Sequence, residues 1–307
     1  MLLGSGSRQE KMQTLDVLKR RINSAEDLYS IVRTMKALAA VSIRQYEKAV
    51  ASLVEYNRTT ELGLHVILTD RGQELLEEEL RPGERAGAII FGSDQGMCGQ
   101  FNDVIAEFAV NNLIEMGIGK EDSPRLSVGV RVEARLLGTG YPSDEHLSLP
   151  GSVAGISPLV QSVLLAIDGW RLDQDVNSIY LFYNRPISGA AYRPTMVRLL
   201  PIDVERLRSI ETKTWPSHSL PVFTMDRRRL LAALIRQHLF VLLFRAFAES
   251  AASENAARLA AMQSAERNIE DRLAELNQQY HGLRQNSITS ELLDIVSGFE
   301  VLTTSAP

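Results

Sequence analysis

The stretch RAFAESAASENAARLAAMQSAERNIED, from Arg245 to Asp271, contains neither glycine nor proline and decides how the rest of the chain is interpreted. It lies in a longer window, between Pro221 and Gly282, that lacks both helix-breaking residues. The pattern predicts one long helix, because apolar side chains recur every three or four residues, as in the seam of a coiled coil. The seam residues are Leu259, Met262, Ile269, Leu273, Leu276, Tyr280 and Leu283.

A second window without glycine or proline runs between Gly6 and Gly63 and has the same apolar spacing, with one three-residue slip. Its seam residues are Leu15, Leu18, Ile22, Ala25, Tyr29, Val32, Met35, Ala39, Tyr46, Ala49 and Leu53. A helix that filled the C-terminal window would be about 90 Å long, whereas a compact globule of this chain length is about 50 Å across. We therefore expect both helices to protrude and to pair antiparallel, with the middle of the chain as a body near one end.

The middle of the chain alternates between strand-like and helix-like patterns. Strand-like runs are AGAIIFGS from Ala86, RLSVGVRVEARLLG from Arg125, NSIYLFYNR from Asn177 and PTMVRLLPI from Pro194. Amphipathic stretches are FNDVIAEFAVNNLIEMG from Phe101 and SPLVQSVLLAIDGW from Ser157. Alternation of this kind predicts an open α/β sheet that is parallel in its first part. The last two runs are separated by PISGAAYRP, which favours an antiparallel pair.

These patterns predict an α/β protein in which a long antiparallel coiled coil of terminal helices accompanies a central, open, Rossmann-like α/β domain. The predicted boundaries are 14–70 for the N-terminal shaft helix and 84–205 for the α/β domain. The C-terminal shaft helix is predicted over 222–302.

Composition excludes several classes of protein. The chain has 307 residues, of which 45% are hydrophobic and 23% charged, as in ordinary globular proteins. The net charge of −5 gives no overall attraction to nucleic acid. The basic clusters Lys19-Arg20-Arg21 and Arg227-Arg228-Arg229 fit solvated helix faces, with a phosphate or acidic-partner patch as the alternative. One cysteine cannot form an internal disulfide, and no paired Cys or Cys/His spacing indicates zinc.

Membrane insertion is not predicted either, because no uninterrupted apolar run approaches the roughly 18 residues that a spanning helix needs. The opening stretch MLLGSGSRQEKM is too short and too polar for a signal peptide.

The stretch FGSDQGMCGQFND, residues 91–103, follows the first predicted strand, where open α/β sheets commonly bind ligands. It lacks the lysine and hydroxyl ending of a phosphate-binding P-loop, and turns alone explain its glycines. Cys98 would need a nearby base to act as a nucleophile, but the five histidines lie in five separate segments. We therefore predict a structural turn, with ligand binding as the alternative, and no catalytic residue, cofactor or metal.

The C-terminal stretch SITSELLDIVSGFEVL, from Ser287, is rich in apolar residues although it should lie at the far end of a protruding helix. Either it folds back onto its own chain or another protein surrounds it, because exposed apolar patches usually mark interfaces.

Four stretches together resemble the gamma subunit family of F-type ATP synthases. RAFAESAASENAARLAAMQSAERNIED with LRQNSITSELLDIVSGFEVL resembles the family's C-terminal signature, and LKRRINSAEDLYSIVRTMKALAAVSIR resembles its opening helix. GSDQGMCGQFN resembles its first strand and loop, and YLFYNRPISGAAYRPTMVRLLPI its later strands. The resemblance runs from about Thr14 to Leu302.

The resemblance implies a central-stalk rotor without a catalytic residue. In this family the helix pair stands inside a hexamer of alpha and beta subunits, and the α/β foot contacts the epsilon subunit and the membrane ring of c subunits. Torque on the shaft couples ion flow to ATP synthesis or hydrolysis at the beta subunits. The implied location is peripheral, on the cytoplasmic face of the bacterial inner membrane. The paired cysteines of the light-regulated chloroplast form are absent.

The resemblance also implies contact roles for seven residues. Met35 and Lys36 match the position that faces a beta-subunit loop, and Glu254 and Arg258 match polar shaft positions. The upper contacts near the apolar end match Gln285, Thr289 and Glu291.

Two rival interpretations remain. A freestanding coiled-coil scaffold with an α/β head would not assemble with ATPase alpha and beta subunits. An enzyme that used the loop from Ser93 to Gly99 would bind a ligand or turn over as an isolated chain.

Overall fold

A computed structural model describes residues 4–68, 85–121, 123–189, 191–202 and 222–304. It describes the side chains of all of them except 4–13, 188 and 298–304. Parts of the predicted boundaries (69–70, 84 and 203–205) lie outside these residues. The chain divides into two compact units, Met1–Leu38 with Ala261–Pro307, and Ala39–Ala260.

Two long helices lie at the ends of the described chain: α1 (Gly4–Leu68) and, last in order, α5 (Arg227–Thr304). In the unit made of both chain ends, Leu18 and Ile22 of α1 pack on Leu276 of α5. Tyr29 contacts Glu270, and Lys36 contacts Glu266. Rising numbers on α1 meet falling numbers on α5, so the predicted antiparallel pairing is confirmed.

Five described strands form one sheet in the order β3-β2-β1-β4-β5. Their bounds are β1 Arg85–Phe91, β2 Arg125–Val128, β3 Glu145–Leu147, β4 Val176–Ser188 and β5 Ala191–Leu200. The first four are parallel, and β5 pairs antiparallel with β4. The predicted α/β class, with a parallel first part and a final antiparallel pair, is confirmed.

Helices cover both faces of this sheet. Alternate β1 residues point to opposite faces, so each face receives a different set of them. Ala88 and Ile90 pack against α2 (Phe101–Glu115) and α3 (Val130–Thr139). Ile89 and Phe91 share the other core with α4 (Ile156–Asp173) and with parts of α1 and α5. The two amphipathic stretches predicted as helices correspond to α2 and α4.

The strand predicted from Arg125 to Gly138 is wrong beyond Val128. The backbone turns at Gly129, with φ of 116°, and the following residues form α3. A helix is favoured there because it buries Val132 and Leu136 against α2, which a continued strand would not do.

The short β3 was not predicted. The linker predicted between the last two strands is mostly strand, since β5 begins at Ala191 and the reversal takes place around Gly189.

Two described helical segments are long and apolar enough to cross a membrane by length and composition: Val153–Asp173, with a mean hydropathy of 1.4, and Arg227–Ser297, with 1.6. Both contribute to the core beside the sheet, through residues such as Val163 and Leu243. Because core helices pass the same test, these windows are weak evidence for a membrane span.

Candidate functional site

The loop after β1 is held by its own polar groups. The Ser93 N–H donates to Asn102 Oδ1 at 2.9 Å, and Asn102 Nδ2 donates to Ser93 Oγ at 2.8 Å. Asp94 accepts the N–H of Val130 at 2.9 Å and that of Leu149 at 2.8 Å, one on each carboxylate oxygen. These bonds engage the polar side chains of Ser93, Asp94 and Asn102 within the fold, which is the arrangement expected of a structural turn.

Cys98 is buried in this loop, and its thiol is placed for packing. Its sulfur lies 3.7 Å from Ser93 Oγ and 3.6 Å from Asn102 Nδ2, and neither group is a base. Burial raises the pKa of Cys98, although the hydrogen bond from Ser93 opposes this rise. A thiol that stays protonated is a poor nucleophile. The described geometry therefore supports an inert cysteine.

Glu254 and Arg258 form a buried ion pair on α5. Arg258 Nη2 lies 2.5 Å from Glu254 Oε1, one helical turn earlier, and the two residues are only 6% and 8% exposed. The same Nη2 donates to the carbonyl oxygens of Gln95 at 3.2 Å and Gly96 at 3.4 Å. Burial raises the pKa of Glu254, and Arg258 opposes the rise. The pair thus fastens α5 to the loop after β1, an internal role that sequence reasoning did not assign.

Met35 and Lys36 lie in the unit formed by the two chain ends. Met35 is half-buried, and the ammonium of Lys36 forms an ion pair with Glu266 of α5. About two turns earlier on α1, the Tyr29 hydroxyl donates to Glu270 Oε1 at 2.8 Å, and Glu270 lies one turn beyond Glu266 on α5. Lys36 therefore already has a carboxylate partner within the chain. Met35, the other predicted contact on α1, carries no charge.

The three remaining predicted residues, Gln285, Thr289 and Glu291, are exposed on α5. Thr289 Oγ1 donates to the Gln285 carbonyl at 2.9 Å, a bond within the helix. Around them, large apolar side chains are 49% to 68% exposed: Ile288, Leu292, Leu293, Ile295 and Val296. The predicted apolar end is thus exposed over these residues, whereas the side chains of Phe299, Val301 and Leu302 lie outside the described set.

The structure therefore sorts the seven predicted contacts into different environments. It brings Glu254 and Arg258 together in the core and places Gln285, Thr289 and Glu291 along less than two turns of α5. The sequence did not predict the pairing of Lys36 with Glu266, because no local spacing indicates a contact between residues 230 positions apart. The pair of Glu254 with Arg258 has the i,i+4 spacing of helical ion pairs, so the sequence did contain its signal.

The whole length of the fold is matched by known proteins. The ATP synthase family profile matches residues 14–302. A protein of Geotalea uraniireducens (strain Rf4) named ATP synthase gamma chain is 29% identical over 94% of this chain and 99% of its own length. The ATP synthase gamma chain of Anaeromyxobacter dehalogenans (strain 2CP-C) is 30% identical over 95% of this chain and 100% of its own length.

Solved structures agree in fold. A chain in the OSCP/F1/c-ring structure of the Euglena gracilis mitochondrial ATP synthase has a TM-score of 0.65 and 19% identity, covering 96% of this chain and 97% of that chain. One from the central stalk and c-ring of the Tetrahymena thermophila mitochondrial ATP synthase has a TM-score of 0.52 and 19% identity, covering 76% and 99%. At these identities the likeness concerns the fold.

Proposed function

This chain belongs to the ATP synthase gamma-chain family and is a non-catalytic, central-stalk rotor subunit of that complex; we propose that its partners are the alpha, beta and epsilon subunits and the c-ring. The observation that carries the proposal is the match over residues 14–302, which includes most of both long helices as well as the sheet. One of the similar solved chains comes from an assembly described with F1 and a c-ring, and another from one described as central stalk and c-ring. The proposed location is peripheral, on the cytoplasmic face of the bacterial inner membrane, where the c-ring would hold it.

Two kinds of role are proposed for the seven residues. Met35, Gln285, Thr289 and Glu291 are proposed to touch the surrounding hexamer directly, because they are at least partly exposed. The other three are proposed to position those contacts. Lys36 does so by pairing α1 with α5, and Glu254 and Arg258 do so by fixing α5 against the loop after β1. A rotor needs such internal ion pairs and hydrogen bonds, because only a rigid structure transmits torque from one end to the other.

The test is reconstitution of the full chain with the alpha, beta and epsilon subunits and c-ring of its own organism. We expect all of them to co-purify with it, and a probe attached to its α/β body to rotate when ATP is added to the immobilised complex. A chain that purifies alone from cells expressing all the subunits would instead support the scaffold interpretation. Turnover of a ligand by the isolated chain would support an enzyme.

A further inference from the structure

The segment of α5 from 246 to 258 is buried on every side. Twelve of its thirteen residues are buried, and Asn255 is half-buried. Eight of the thirteen are Ala or Ser, whose short side chains form only shallow ridges. Apolar burial is non-directional, so such a helix surface resists rotation about the helix axis only weakly. Resistance must come mainly from the longer side chains, of which the charged ones are Glu249, Glu254 and Arg258.

Glu249 is the acceptor at the centre of one polar network and is only 6% exposed. Its Oε2 accepts from the Tyr183 hydroxyl at 2.9 Å and from Arg185 Nε at 3.2 Å, both on β4. Its Oε1 accepts from Arg245 Nε at 2.7 Å, one turn earlier on α5. Burial raises the pKa of Tyr183 to about 12, and the Glu249 charge adds to the rise, so the phenol stays protonated and donates. One carboxylate thus joins α5 to β4.

A second network lies on the opposite side of α5. There Arg258, paired with Glu254, binds the loop after β1 through the carbonyl oxygens of Gln95 and Gly96. Glu249 and Arg258 are nine positions apart, which corresponds to about 180° around a helix and about 13 Å along it. Turning α5 about its axis would have to break charge-assisted bonds on both sides, whereas a single anchor would let α5 rock about it.

We propose that Glu249 is a positioning residue for torque transmission. With Tyr183 and Arg185 it forms one half of a two-sided clamp that locks the rotation of α5 to that of the sheet, and the pair of Glu254 with Arg258 forms the other half. The inference rests on the proposed function, because a rotor is loaded in torsion and a freestanding scaffold is not. The role of Glu249 therefore concerns torsional stiffness beyond its contribution to stability.

The experiment measures the torsional stiffness of the full-length chain in complex with the alpha/beta hexamer. The hexamer is fixed to a surface and stalled with a non-hydrolysable ATP analogue, and the angle of a probe on the α/β body is followed over time. The variance of this angle is inversely proportional to the stiffness of the chain between the probe and the hexamer. Urea unfolding of each variant reports its stability separately.

Two matched pairs of variants separate the clamp from general softening. Arg185→Met removes a donor to Glu249, whereas Arg193→Met removes the exposed cation directly opposite on β5. Glu249→Gln removes the charge that Arg185 and Arg245 bind. Its control, Leu243→Ala, leaves a cavity beside a fully buried part of α5 without removing a side-chain hydrogen bond. Arg185→Lys keeps the positive charge and is the conservative variant.

We expect Glu249→Gln and Arg185→Met to raise the angular variance by about twofold or more, because each removes charge-assisted bonds from one side of the clamp. Arg185→Lys should lie between the parent and Arg185→Met, and Arg193→Met should match the parent. Leu243→Ala should lower the urea midpoint at least as much as Glu249→Gln does, but should leave the variance close to that of the parent.

Equal variances for Arg185→Met and Arg193→Met would overturn the clamp, as would a rise in Leu243→Ala equal to that in Glu249→Gln. If Glu249→Gln does not fold, the arginine pair still decides, because the Arg185 side chain is 35% exposed and its removal leaves no deep cavity. A parent chain that does not bind the hexamer would contradict the proposed function itself. That result is distinguishable from a bound parent whose variants are equally stiff.

Discussion

The guanidinium of Arg258 lies 2.5 Å from the Glu254 carboxylate, and from this buried position it also donates to the Gln95 and Gly96 carbonyl oxygens. One side chain thus joins the long C-terminal helix to the loop that follows the first strand. A buried ion pair costs desolvation on both sides, so removing one partner leaves the other charge uncompensated. The effect of such a removal should depend on pH.

Arg258→Met should destabilise the protein by about 3–5 kcal/mol near pH 7. The pKa of Glu254 is already raised by burial, and Arg258 holds it down, so the variant should raise the pKa further. A carboxyl whose folded pKa exceeds its unfolded value stabilises the fold below the unfolded pKa and loses that contribution as pH rises through the folded pKa. Urea unfolding between pH 4.5 and pH 8 should therefore show the smallest deficit at the acid end.

The control for this prediction is Arg272→Met, which removes an exposed ion pair and should cost under about 0.5 kcal/mol at every pH. In a second variant, Glu254→Gln combined with Arg258→Met, neither charge of this buried pair remains, and most of the pH dependence should vanish. A deficit in Arg258→Met that does not change with pH would contradict the explanation.

Gly129→Ala should destabilise the α/β body by more than about 2 kcal/mol, because its backbone conformation is strained for any residue with a Cβ. Its φ is 116°, and an added Cβ would lie 2.8–2.9 Å from backbone atoms of Ser93. Gly138→Ala is the matched control, since nothing lies within 4 Å of its added Cβ inside α3. That variant should be neutral or stabilising by up to about 1 kcal/mol. The measurement is the midpoint of urea unfolding for each variant. Equal midpoints for Gly129→Ala and Gly138→Ala would contradict the expected strain at Gly129.

The residues that follow Gly129 show why the sequence alone predicted a strand where α3 forms. The letters VRVEAR alternate between apolar and polar residues as in a half-buried strand, and Gly129 just before them is the one local signal against that strand. The choice depends on the body around it, where Val132 and Leu136 become buried only as one face of a helix. The two long helices were predictable for the opposite reason. Their seams repeat over many turns, and no glycine or proline interrupts them.

The environment of the predicted contact residues could be read from the sequence only in part. Exposure of Gln285 and Thr289 follows from their place beside an apolar helix end. The burial of Arg258 depends instead on a loop more than 150 positions away, and Lys36 is neutralised by a residue on the other long helix. Matching to a family locates such residues along the chain but does not indicate which of them are already engaged internally.

The isolated chain should self-associate through the exposed apolar residues near its C-terminal end, since patches of this kind are usually covered. Replacing Leu292 and Ile295 together with glutamine should shift the chain towards monomer in sedimentation experiments. The same variant should bind the hexamer at least tenfold more weakly if a partner normally surrounds this end. Leu165→Gln combined with Leu172→Gln, on an exposed face of α4, provides a control of equal polarity change. A parent chain that is monomeric, with this end resistant to protease, would favour folding back onto its own chain.

The most specific prediction concerns Met35, which is half-buried beside the pair formed by Lys36 and Glu266. Met35→Lys adds a cation where α1 is proposed to face a beta-subunit loop, and a charge-assisted bond to an acidic partner would have to break during each rotation. Nucleotide binding and assembly should therefore persist, while ion pumping per ATP hydrolysed falls to half or less. Ala37→Lys adds the same charge at an exposed neighbouring position and should leave the ratio unchanged. Both activities are measured on the same membranes, so a Met35→Lys ratio equal to that of the parent would show that Met35 is not a coupling contact.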